Sequence, residues 1–112
     1  EMCIRDRRYT WSHDGKTHQG VLLVRDAGGE STPEMVWFDS FHTGGSFMRL
    51  GQGARTATQL SATGSYPAPP GPDWGWRITL EQPTSDALVL TMTNITPDGQ
   101  EARAVDARYG RA

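Results

Sequence analysis

The run Trp37-Phe38-Asp39-Ser40-Phe41-His42 sets a carboxylate, a hydroxyl and an imidazole among aromatic rings. These are the side chains from which general acid–base and nucleophilic catalysis are built. Their spacing argues against a triad. On an extended strand Asp39 and Phe41 point one way while Ser40 and His42 point the other, so Asp39 is not expected to orient His42 for a nucleophile of the same strand. No Gly-x-Ser-x-Gly elbow is present. The structural alternative is Asp39 hydrogen-bonded in or beside the core, with His42 at the mouth of the strand.

The other chemistry-bearing residues are sparse. His13, His18 and His42 are the only histidines, and none lies in a His-x-x-x-His or His-x-His arrangement that would preorganise a metal. Neither a metal nor a haem is expected, and no cofactor is assigned. Cys3 is the single cysteine, so no internal disulfide forms. Arg77 lies between Trp76 and Ile78 and must point away from both. It either anchors an anionic ligand or pairs with an acid across the sheet, with Asp39, Asp106 and Glu101 as the candidates. Trp11 and Trp76 are expected in the core, and Trp74 near a cavity mouth.

The elements that must position these residues read as strands, because turn signals recur at short intervals over a period-two pattern. Strands are expected over residues 9–13, 19–25, 35–41, 46–50, 58–66, 74–80, 88–94 and 101–109. Asp14-Gly15 and Pro97-Asp98-Gly99 close hairpins. Residues 66–77 hold four of the seven prolines and form one stiff loop that ends one strand and feeds the next. No helix longer than about two turns is expected. The fold class is all-β, an antiparallel up-and-down meander of about eight strands. Closure into a barrel would remove its free edges, and a β-sandwich is the alternative.

At 112 residues with 36% hydrophobic side chains, the chain suffices for one domain. It has no apolar run long enough to span a membrane as a helix. Eleven basic and thirteen acidic side chains form no basic stripe, which excludes nucleic acid as the expected partner. The opening Glu1-Met2-Cys3-Ile4-Arg5-Asp6 resembles a translated sequencing adapter. Residues 1–7 are therefore expected to be non-native and residues 8–112 to form the domain, the alternative being an ordinary first strand. Oligomeric state and compartment stay open, with the cytoplasm favoured.

Residues 37–42 (WFDSFH), 64–77 (GSYPAPPGPDWGWR), 92–99 (MTNITPDG) and 104–109 (AVDARY) together resemble the bacterial family called domain of unknown function 1579, over nearly all the chain beyond residue 8. The resemblance implies a calycin-like barrel akin to lipocalins and fatty-acid-binding proteins, and no activity. Members of that family begin with a strand carrying a Gly-x-Trp element. That element is absent here, so the native first strand is expected to be missing. Calycins include a haem-binding group, but no position here matches its ligand histidine.

The leading expectation is a domain that binds a small apolar molecule, with Trp37, Phe41, Trp74, Trp76 and Met92 as walls and Asp39 or Arg77 as polar anchors. One alternative is an enzyme using Asp39 or His42 as general acid or base. The other is a structural or interaction domain whose interior is filled by its own side chains.

Overall fold

The computed structural model describes residues 3–13, 15–43 and 45–110, the first of these stretches by its backbone path alone. Nine strands follow one another without a helix among the described residues: β1 (Cys3–His13), β2 (Lys16–Asp26), β3 (Glu34–Asp39), β4 (Met48–Leu50), β5 (Gln52–Arg55), β6 (Gln59–Tyr66), β7 (Trp74–Thr84), β8 (Ala87–Ile95) and β9 (Glu101–Gly110). All pairings are antiparallel between sequence neighbours, in one sheet ordered β1-β2-β3-β4 and another ordered β5-β6-β7-β8-β9. Only Gly51 separates β4 from β5, so a single bent strand leaves one sheet and enters the other. Counted that way there are eight strands, as the alternation implies.

The meander does not close among the described residues. β1 pairs only with β2 and β9 only with β8, so the two sheets form an open sandwich rather than the expected calycin barrel. Asp14 of the first hairpin lies outside the described residues, as do the side chains of Trp11 and His13. The proline-rich connection is a loop over residues 67–73, with a turn closed by Gly71 N–H donating to Ala68 O at 3.2 Å.

Alternation builds the core in rows across the facing sheets. In the first sheet Leu22, Trp37 and Met48 share one row and Val24, Met35 and Leu50 the next. In the second, Ala62, Ile78, Met92 and Val105 form a row, with Leu60, Leu80, Leu90 and Ala107 beside it. Trp37 and Trp76 meet across the interface as a parallel stack, with ring centroids 5.2 Å apart and planes inclined by 10°. Arg77 lies on the opposite face of β7 from the buried Trp76 and forms a two-pronged pair with Glu101, at 3.0 and 2.6 Å. That contact, foremost through its hydrogen bonds, holds the Glu101 carboxyl below its ordinary value.

A second arginine ties the sheets together at the other end. From β5, Arg55 donates to both carboxylate oxygens of Asp26 at the end of β2, to Ser31 O at 2.7 Å and to Gly29 O at 3.3 Å. The arginine hydrogen bonds lower the Asp26 pKa from its ordinary 3.8, and the Gly28 N–H adds to them against the opposing effect of burial. A depressed folded-state value means the pair stabilises the fold above the unfolded carboxylate's range and ceases to as pH falls through the lowered value. Asp26→Asn is therefore expected to lower the denaturant midpoint at pH 7. Its deficit against wild type should shrink steadily as pH is taken below 3.8. A deficit that stays constant across that titration would show that charge is not what the pair contributes.

Candidate functional site

Strand β3 ends at Asp39 because the Asp39 side chain captures the backbone that follows it. Its Oδ1 accepts the N–H groups of Phe41 at 2.8 Å and His42 at 3.0 Å, an Asx-type turn that competes with strand continuation. Thr43 completes the wrap. Its hydroxyl accepts from Asp39 N–H at 3.0 Å and donates to Asp39 O at 3.0 Å, while Thr43 N–H donates to the same carbonyl at 3.2 Å.

The turn overturns the expectation from alternation. Residues 40–43 are not strand, so His42 swings back and places Nδ1 3.2 Å from Asp39 Oδ1. Asp39 is 1% exposed and orients the imidazole after all. Facing a carboxylate oxygen, which can only accept when ionised, Nδ1 is the ring nitrogen placed to donate in this contact. Aromatic rings fix the plane of the imidazole. Trp37 lies 5.6 Å from it and Trp76 5.8 Å, and Phe41 meets it edge-on at 5.0 Å. Phe41 in turn contacts His18, whose Nδ1 lies 3.3 Å from Ser40 Oγ.

His42 forms one side of a cleft of about 780 Å³ at this end of the sandwich, and Trp37, Trp76, Met48, Tyr66 and Phe47 supply most of its apolar lining. Phe47 is 75% exposed. On the far side Tyr66 donates its hydroxyl to Asn94 Oδ1 at 2.6 Å. That bond fixes the Asn94 amide, and its Nδ2 has no hydrogen-bond partner among the described residues. Asn94 faces Trp76 in the ladder. Ala104, also on the cleft, is the extra residue where the β8–β9 register shifts after Met92. The indole N–H of Trp76 is buried without a partner among the described residues, a cost of about 1–3 kcal/mol.

Of the residues singled out from sequence, Trp37 and Trp76 lie on the cleft and Asp39 stands directly behind its histidine. Met92 is a buried core residue and is not part of the cleft lining. Phe41, 49% exposed, packs on the outer side of His42. Trp74 is half-buried at the start of β7, outside the cleft lining. Arg77 is on the outer face, held by Glu101, and offers no anchor to the cleft. Tyr66, Asn94, Phe47 and Ala104 were not anticipated as site residues, since only the juxtaposition of two sheets brings them together. Among the described residues no group of three or more metal-ligating side chains occurs, and no helix is long and apolar enough to cross a membrane.

No curated protein and no solved structure matches the chain. The match is instead to a sequence family, and it runs from the middle of β1 through β9. Over residues 9–111 the chain matches the family described as Protein of unknown function (DUF1579), and it belongs to that family.

Proposed function

We propose that this protein binds a small, largely apolar and planar molecule in the cleft between its two sheets. The observation that carries this is the cleft itself: about 780 Å³, walled by the Trp37–Trp76 stack and rimmed by the exposed Phe47. Its size falls in the range of small-molecule sites, which pair apolar walls with a few fixed polar groups. Those groups are His42 and Asn94, each held in one orientation by a neighbour, Asp39 and Tyr66 respectively. The polar anchor is thus His42, backed by Asp39, in place of Arg77.

The test uses 1-anilinonaphthalene-8-sulfonate, a fluorophore with two apolar aromatic ring systems and one sulfonate. Saturable enhancement at one equivalent is expected for wild type, and loss of it for Ala104→Trp, which projects an indole into the cleft from an exposed position of β9. Unchanged near-ultraviolet circular dichroism would show that the variant is folded. Probe binding that survives Ala104→Trp would place the ligand elsewhere and refute the assignment.

A further inference from the structure

We propose that the edge of β9 facing away from β8 is a pairing surface for a second copy of this chain, whose own β9 docks antiparallel across a two-fold axis between Ala104 and Val105. Among the described residues β9 pairs only with β8. Such an edge offers backbone donors and acceptors to another strand. What selects β9 itself as that strand is its charge pattern, read together with its bulge.

The bulge decides which residues share a face. Val105 and Ala107 pack against the core and Ala104 lines the cleft, so Ala104 and Val105 are successive residues on the inner side. Ala102, opposite Asn94 of the cleft, is on that side too. On the outer face stand Glu101, held by Arg77, Arg103, in line with Thr93 and Arg77, and then Asp106 and Arg108, which alternate with Val105 and Ala107. The ion pairs agree with this. Arg103 Nη1 lies 3.2 Å from Asp106 Oδ2, a contact between residues three apart that an unbulged strand would send to opposite faces. The outer face therefore reads acid, base, acid, base, placed symmetrically about the bulge.

Two copies related by a two-fold axis pair in a sheet only where opposed residues share a face. In a regular strand, an axis between successive residues would set inward side chains against outward ones. Here the bulge removes that conflict. Glu101 faces Arg108 of the second copy, Ala102 faces Ala107, Arg103 faces Asp106, and Ala104 faces Val105. Every acid meets a base, and only small or β-branched side chains meet on the inner side. Glu101 keeps lone pairs beyond those that Arg77 occupies. A shift that opposes Arg103 to Arg108, or Asp106 to itself, sets like charges against each other and is disfavoured. The charges that guard this edge against indiscriminate pairing thus admit one register, which joins two five-stranded sheets into one.

The test is sedimentation velocity of the full chain over a range of concentrations and salt. A reversible monomer–dimer equilibrium is expected, because one strand-to-strand contact is a small interface, and it should weaken as salt rises. Arg103→Asp sets acid against acid across the axis, and Asp106→Arg sets base against base. Each should raise the dissociation constant about tenfold or more, with circular dichroism unchanged. An equimolar mixture of the two variants should recover dimers, since the introduced acid of one then faces the introduced base of the other and the native Asp106 faces the native Arg103. Loss of the contact within one chain could not be repaired by mixing. Arg108→Glu, at an exposed position opposite Glu101, should weaken the dimer independently. A wild type that stays monomeric throughout, variants that dimerise as tightly as wild type, or a mixture that recovers nothing would overturn the proposal. So would species that keep growing with concentration, which would indicate a head-to-tail contact in place of the two-fold one.

Discussion

Trp37→Ala is expected to cost about 3–5 kcal/mol of stability, the range for truncating a fully buried tryptophan. Trp37 is 1% exposed and central to β3, between Leu22 and Met48 in the ladder. It stacks on Trp76 of the other sheet, so removing it takes away packing inside one sheet and between both. A domain of this size has roughly 5–15 kcal/mol in total, and the melting temperature should fall by about 15 °C or more. Trp76 offers the contrast. Its indole N–H is buried without a partner among the described residues, so Trp76→Phe removes an unsatisfied donor along with ring area. It should therefore cost less than Trp37→Phe. Chemical denaturation of the variants checks both statements. A Trp37→Ala midpoint close to wild type would mean that the stack does not hold the sheets together.

Period two and turn chemistry sufficed for the all-β meander, because both are local properties of the chain. The opposite facing of Trp76 and Arg77 was legible for the same reason. Which acid Arg77 would take was not, since Glu101 reaches it only through the registers of β7 on β8 and β8 on β9. The site was half legible. Asp39 and His42 stood out by type, but alternation placed them on opposite faces because it assumed the strand continued. Asp39 itself ends the strand, its carboxylate accepting the Phe41 and His42 N–H groups in place of ladder partners, and that competition is what unites the pair. The far wall, with Tyr66 and Asn94, depends on contacts between residues 28 positions apart. That β1 and β9 do not pair with each other among the described residues is likewise a property of how two sheets meet, which strand patterning alone leaves undecided between barrel and sandwich.

Gly51 and Gly53 look interchangeable in sequence, both reading as breaks between strands, yet substitution should separate them sharply. Gly53 lies inside β5, where a methyl group would fall 1.8 Å from Pro33 O and 2.7 Å from Pro33 C. These are backbone atoms of a buried residue, so no rotamer change relieves the clash. Nor can the chain shift freely, because Arg55, two residues further along β5, grips Ser31 O on the same loop and the Asp26 carboxylate at the end of β2. Gly53→Ala must therefore push β5 away from the first sheet at the strand that joins the two, and is expected to cost about 3 kcal/mol or more, at the upper end for overpacking. A methyl group on Gly51 meets nothing within 4 Å, so Gly51→Ala should stay within about 0.5 kcal/mol of wild type. Paired denaturant titrations decide the matter. Equal midpoints for the two variants would show that β5 does not press on Pro33, and that the bent strand is not where the sheets are joined.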